Sequence, residues 1–145
     1  MAATISQEQY LPESIVATFP DQYTKEYWDR VSRGELAFQR CAQCKTFRHP
    51  PGPMCPNCAS FESEWHTVEG KGTIYSWEIV TLALNDALAD YVPFNIVLVE
   101  FPDAPGVRLV TNCIDSAKED LSIGMPVEVV YQKYSKVTLP RVKKA

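Results

Sequence analysis

Two cysteine pairs, Cys41-Ala42-Gln43-Cys44 and Cys55-Pro56-Asn57-Cys58, constrain this chain more than any other feature. Read as C-x2-C-x10-C-x2-C, they offer four thiolates, which is what a closed tetrahedral zinc site needs: soft ligands and no vacancy for water or substrate. Each pair suits a tight turn that points both sulfurs at one ion. The segment between them, with its Pro50-Pro51-Gly52-Pro53 run, is long enough to go out and back as a short hairpin and set the second turn opposite the first. The spacing predicts a zinc ribbon held by Cys41, Cys44, Cys55 and Cys58. Sequence does not separate zinc from iron in a four-cysteine site; Zn(2+) is the default expectation.

Two disulfides would suit a secreted chain, but residues 1–20 lack both the basic start and the apolar stretch of a signal peptide. A redox dithiol is disfavoured because the motif is doubled and no βαβ pattern surrounds it. No apolar run approaches the roughly 18 to 20 residues of a membrane span. The expectation is a cytoplasmic protein with reduced cysteines and no membrane partner.

With 145 residues and 46% apolar content, the chain suits one ordinary domain or two very small ones with a folded core. A net charge of −4 and a pI near 5.2 argue against a dedicated nucleic-acid binder, whose affinity would come from Lys and Arg on phosphates. After Glu128 no acidic residue remains, while Lys133, Lys136, Arg141, Lys143 and Lys144 follow; this tail reads as a solvated end or a contact for an acidic partner.

Residues 1–20 show no period and read as extended or loose unless a partner holds them. From Asp21 to Arg33 the pattern turns helical, with Asp21 as N-cap, Gly34 as stop, and Tyr23, Tyr27 and Val31 at helical spacing. Its aromatic residues either cover the ribbon or dock on another protein, for which Tyr and Trp are favoured anchors. Glu35–Arg40 reads as the strand delivering the first cysteine pair, and Phe61–Thr67 as its partner.

Beyond Val68 the chain reads as strands: Thr73–Thr81 alternating, Phe94–Phe101 nearly all apolar and so buried on both faces, a turn at Pro102–Gly106, then Val107–Ile114, Val127–Tyr134 and a last short strand at Lys136–Leu139. Asp115–Asp120 has room for one helical turn. About five short strands in this span suggest a five-stranded Greek-key barrel of OB type, a small sandwich being the competing fold. The expected class is mainly β with an N-terminal helix. The expected division is 1–34 for the extension and helix, 35–67 for the ribbon and 68–145 for the barrel and basic tail.

Three features stand in one order: a helix ending Arg33-Gly34-Glu35-Leu36, the four-cysteine ribbon, and a barrel entered by Gly70-Lys71-Gly72-Thr73-Ile74-Tyr75 and closed by Ile123-Gly124-Met125-Pro126-Val127. From about Tyr23 to Tyr134 this resembles the family of zinc-ribbon, OB-fold proteins associated with acyl-CoA enzymes, long catalogued as a domain of unknown function. The resemblance implies a rubredoxin-like zinc ribbon and a partner role. Members are small subunits or fused domains of thiolase-superfamily enzymes, with the catalytic cysteine and histidines on the thiolase-like subunit. The resemblance implies that the small subunit is a structural and gating element beside the acyl-CoA channel. Lys45 and Ala59 depart from the family pattern, which often has glycine after the second cysteine of each pair.

A site on the chain itself is harder to build. Cys113 lies inside an expected strand and reads as a small buried hydrophobe rather than a nucleophile. His49 and His66, the only histidines, are not needed as ligands beside four cysteines. Arg40, Lys45, Arg48 and Lys71 read either as a basic patch for a CoA phosphate or as solvated charge. Partner docking is expected at Tyr27 and Trp28 on the helix and at Leu84 and Leu88 in the apolar loop 82–93. The reading is a small subunit, not catalytic alone, of a thiolase-type enzyme acting on 3-oxoacyl-CoA, with aromatic or branched acyl groups such as benzoylsuccinyl-CoA-type substrates. The alternative is a nucleic-acid-binding OB-fold zinc-ribbon protein with bases stacked on Tyr75 or Trp77.

Overall fold

The computed structural model describes residues 5–6 and 9–145. Its elements are β1 (Ile5–Ser6), α1 (Lys25–Ser32), β2 (Ala37–Cys41), β3 (Phe47–Arg48), β4 (Ser63–Thr67), β5 (Lys71–Val80), β6 (Phe94–Phe101), β7 (Ala104–Thr111), β8 (Pro126–Lys133) and β9 (Thr138–Lys144).

The helix begins at Lys25 rather than at Asp21, because Asp21 caps a preceding turn. Its Oδ1 accepts from the N–H groups of Tyr23 and Thr24 at 2.9 and 2.8 Å. Gly34 ends the helix as expected, with φ +74° and its N–H donating to the Val31 carbonyl at 2.9 Å. Tyr27 and Val31, one turn apart, are 3% and 0% exposed and form the inward stripe.

β2 is the centre of a three-stranded antiparallel sheet, β3-β2-β4, with Phe38 opposite His66 and Gln39 between Arg48 and Trp65. In the larger sheet the order is β1-β8-β5-β6-β7, and β9 also pairs with β8. Leaving β1 aside, these strands make the five-stranded curl expected of an OB-fold. Just past β7, Cys113 forms a parallel bridge with Val142 of β9, bringing the two outer strands together.

Several strands differ from the sequence reading for identifiable reasons. In β5 a bulge at Tyr75 shifts the pairing from Ile74↔Val99 to Ser76↔Leu98. The extra residue reverses the alternation, so Ile74 points inward before it while Trp77 and Ile79 pack on the core after it. β6 is buried on one face only: Asn95, Val97, Val99 and Phe101 are buried and the alternate residues half-buried.

β7 starts at Ala104, not Val107, across a tight turn at Pro102-Asp103. Pro105 and Gly106 are tolerated inside it because β7 is the outer strand, next to a register shift at Phe101. The basic tail is only partly a solvated end: Lys133, Lys136 and Lys144 are exposed, but Thr138–Lys144 form β9, with Arg141 6% and Val142 0% exposed.

The extension before the helix is tied down in its described part. The Tyr10 hydroxyl accepts from the Asn95 side-chain amide at 3.0 Å, Tyr134 donates to the Leu11 carbonyl at 3.2 Å, and the Ser135 N–H donates to Glu13 at 2.7 Å. Asn95, 3% exposed, is also hydrogen-bonded to the Cys113 carbonyl and N–H, linking β6 to the start of the bridge with β9.

One apolar core runs from the helix through the ribbon into the barrel. Phe38 joins the three, being fully buried with ring centroids 6.4 Å from Tyr27, 5.1 Å from His49 and 5.5 Å from Phe101. The order of a small metal lobe is thereby coupled to the barrel's packing rather than left to the ion alone.

Candidate metal centre and surrounding surfaces

The four cysteines come from two turns built alike. In the first, Cys41 N–H donates to the Thr46 carbonyl at 2.9 Å and Lys45 N–H to the Cys41 carbonyl at 3.1 Å. In the second, Cys55 N–H donates to Ser60 at 2.8 Å and Ala59 N–H to Cys55 at 3.0 Å. Lys45 and Ala59, where glycine would relax the turn, take φ of 62° and 61°. The left-handed geometry is present without glycine, at a cost of roughly 1–2 kcal/mol per residue.

The four sulfurs lie within 4.8 Å of one another, with Cys41 to Cys58 at 3.5 Å and Cys44 to Cys55 at 3.6 Å. A tetrahedron with zinc–sulfur bonds of about 2.3 Å has sulfurs about 3.8 Å apart, so the cluster has the size that one ion requires. Cys41 and Cys55 are buried while Cys44 and Cys58 reach the surface.

Electrostatics lead to the same conclusion. The Thr46 hydroxyl and the Asn57 amide, with the Thr46 backbone, hold the Cys44 thiol down at about 5. Against a lowering hydrogen bond from the Ser60 backbone, the neighbouring sulfurs Cys41, Cys44 and Cys55 push Cys58 up to about 12. Thiols this close resist ionising together, and a divalent cation at their centre removes that penalty. Four soft donors with no fifth ligand among the described residues suit a structural ion, and Zn(2+) is the cofactor this donor set fits.

The four basic residues of the sequence reading do not form one patch. Arg40 and Lys45 both pair with Glu64, at 2.5 and 2.9 Å. Arg48 is 9% exposed and turned inward, its Nε donating to Gln39 Oε1 at 2.7 Å and to the Gly52 carbonyl at 3.2 Å. Lys71, on β5, pairs with Glu69 at 3.2 Å. Charge counted along the sequence missed these pairings because Glu64 is opposite Arg40 only through the β2–β4 register.

Of the expected docking residues, Tyr27 is core and offers no exposed ring; burial holds its hydroxyl well above the usual tyrosine range. Trp28 is half-buried against that core. Leu84 is 87% exposed, beside Leu82 at 68% and Tyr91 at 40%, and Leu88 is half-buried. Their loop has local order: the Asn85 side chain accepts from the Ala87 N–H at 2.9 Å and starts a 3-10 turn at Asp86–Leu88.

Neither histidine stands beside a nucleophile. His49 sits between Tyr27 and Phe38, with burial lowering its pKa to about 4, and His66 packs edge-on against Phe47. Cys113 is fully buried, and burial raises its pKa. The Tyr75 ring, 45% exposed, has the Arg108 guanidinium over it at 3.6 Å. No described helix is long and apolar enough to cross a membrane.

Two family models match the chain: the ChsH2 rubredoxin-like zinc ribbon domain over residues 28–64 and the ChsH2 C-terminal OB-fold domain over residues 65–132. A probable enoyl-CoA hydratase alpha subunit of Thermomonospora curvata is 43% identical over 70% of this chain. A 3-oxo-4,17-pregnadiene-20-carboxyl-CoA hydratase alpha subunit of Mycobacterium tuberculosis is 31% identical over 83%. The chain spans only 30% and 37% of the lengths of these two relatives. A DUF35 domain-containing scaffold protein of Methanocaldococcus jannaschii is 33% identical over 65% of each chain.

The solved structure of the Ltp2-ChsH2(DUF35) aldolase contains a chain with 32% identity and a TM-score of 0.79, the match covering 88% of this chain and 98% of that one. A DUF35 protein of Sulfolobus solfataricus shares the fold at 16% identity, with a TM-score of 0.58. With both halves matched in order and the four-cysteine centre in place, this chain belongs to the ChsH2 (DUF35) family of zinc-ribbon, OB-fold proteins.

Proposed function

We propose that this chain is a small, non-catalytic, zinc-holding subunit of an acyl-CoA enzyme assembly, docked on a thiolase-like subunit that makes or breaks a carbon–carbon bond beside the thioester. The observation that carries this reading is the near full-length likeness to a chain of an aldolase complex, at 98% coverage of that chain. The chain's own geometry supports it: the metal centre is of the closed, structural kind, His49 is packed among rings, and Cys113 is fully buried. The relatives named as hydratase subunits favour a second use of the same module, beside a hydratase.

In this reading the loop 82–93 is the docking surface. Leu82, Leu84 and Tyr91 present an apolar patch beside the end of β5, of the kind that a partner covers. The zinc ribbon fixes the helix and barrel relative to each other, and the acyl-CoA channel of the partner runs along the joined face. The natural substrates are 3-oxoacyl-CoA or β-hydroxyacyl-CoA thioesters with bulky acyl groups.

Reconstitution tests the proposal. The thiolase-like protein purified with this chain is assayed for acyl-CoA carbon–carbon cleavage alone, with the wild-type chain, and with a Leu82→Asp/Leu84→Asp variant. The expected result is cleavage that depends on the wild-type chain and a variant that stays folded but fails to bind. Cleavage by the chain alone, or normal binding by the variant, would overturn the assignment of roles.

A further inference from the structure

A cavity of about 460 Å³ opens where α1, the His49–Pro51 turn, β7 and β9 meet. Its size falls within the roughly 300–1,000 Å³ of small-molecule sites, and like them it has mostly apolar walls with a few polar groups. Trp28, Pro50, Leu109 and Leu139 supply apolar surface; Arg141, Arg108 and His49 are the lining residues that carry nitrogen groups, and among the described residues no Asp or Glu lines it.

Arg141 is the unusual member. It is 6% exposed, yet its nitrogens donate only to neutral oxygens, those of Gln132 at 3.2 Å, Asn112, and the Tyr134 hydroxyl at 3.5 Å. No Asp or Glu oxygen lies within ion-pair distance of it among the described residues. A buried guanidinium is ordinarily paired with an anion, and its five N–H groups exceed the three bonds made here. Arg108, at the rim, is engaged by Glu100 at 3.6 Å and by the Tyr75 ring. Among the described residues, the lining cation left without an anion is therefore the inner one.

His49 adds a second, independent observation. Its Nδ1 is buried with no hydrogen-bond partner among the described residues, and the residue lines the same cavity. A guanidinium with no anionic partner among the described residues, on a residue lining an apolar cavity, is complementary to a group with an apolar body and an anionic, hydrogen-bond-accepting head.

We propose that this cavity binds a small organic carboxylate, its apolar body against Trp28, Pro50 and Leu139 and its carboxylate accepting from Arg141. The site belongs to this chain alone and does not rest on the enzyme-subunit reading. It lies on a different face from the loop 82–93, whose residues do not line it.

The test uses the full zinc-loaded chain with octanoate, and octylamine and octan-1-ol as matched probes. Binding is followed by calorimetry and by the NMR signals of the Trp28 indole and Leu139 methyls. Octanoate should shift those signals saturably and bind at least about tenfold more tightly than octylamine. Leu139→Trp, which fills the cavity and leaves the charges, should weaken octanoate by at least about tenfold, as should Arg141→Gln. If Arg141→Gln fails to fold, the carboxylate-to-amine ratio and Leu139→Trp still decide. Equal affinity for octanoate and octylamine, no saturable shift up to about 10 mM, or unchanged binding by Leu139→Trp would each overturn the proposal. So would binding of a short acidic peptide by a chain that ignores octanoate.

Discussion

His49 should make this protein lose stability as pH falls from 7 to 5, by an amount that a single substitution removes. The imidazole is held between the rings of Tyr27 and Phe38 at 5.0 and 5.1 Å, and burial lowers its pKa from 6.5 to about 4. Between those two values the unfolded chain binds the proton and the folded chain does not, so stability rises with pH at about 1.4 kcal/mol per unit. The stabilisation is fully present above the unfolded pKa and is lost as pH falls toward the folded one. Between pH 7 and pH 5 the loss amounts to about 2 kcal/mol.

Urea unfolding of wild type and His49→Phe, each with saturating zinc, isolates this contribution because other acid effects are common to both. Whatever the variant's stability at pH 7, its loss between pH 7 and 5 should be smaller than wild type's by about 2 kcal/mol. Parallel pH dependences for the two proteins would refute the argument that burial holds His49 neutral.

Gly72 is packed too tightly for a side chain: a Cβ there would lie 2.6 Å from the Glu100 carbonyl oxygen and 2.8 Å from Val99 Cγ1. Gly72→Ala should cost about 2–3 kcal/mol in urea unfolding, and a neutral effect would contradict the β5–β6 packing. Ala59→Gly relieves the left-handed strain in the second cysteine turn and should tighten zinc, read by competition with a chromophoric chelator, by about threefold to tenfold. Weaker zinc binding by this variant would contradict the turn geometry. Chelating the metal should lower protection first in β2–β4, whose two cysteine turns the ion joins, while β5–β9, which supply most of the shared core, keep theirs longer. Hydrogen exchange should show protection lost in the ribbon first; uniform loss across the chain would refute separable stability.

What the sequence made legible follows from how local each signal is. The cysteine spacing fixes the metal centre because two turns and a hairpin are short-range structures, and the apolar run from Phe94 to Phe101 fixes β6 residue for residue. Pro105 and Gly106 read as turn residues because their tolerance depends on β7 being an outer strand, a fact of topology and not of local composition. The Tyr75 bulge reversed an alternation that is correct up to Ile74. Arg141 looked like one charge in a basic tail; only pairing of β9 with β8 brings Gln132 beside it, and only the fold beyond β7 supplies Asn112. The surfaces were the least legible part: Arg48 faces inward and Tyr27 belongs to the core, while Leu84 stands out from the loop as its surroundings in the sequence suggested.

Affinity purification from the native source at moderate salt tests most directly whether this chain works as a zinc-holding subunit on another enzyme. The bound fraction is identified by mass spectrometry and its metal content measured. The expected result is a thiolase-like protein of roughly 40 kDa, present in fixed ratio to the chain, with one zinc per copy of this chain. Elution of the chain alone, or with nucleic acid that leaves as salt is raised, would contradict it.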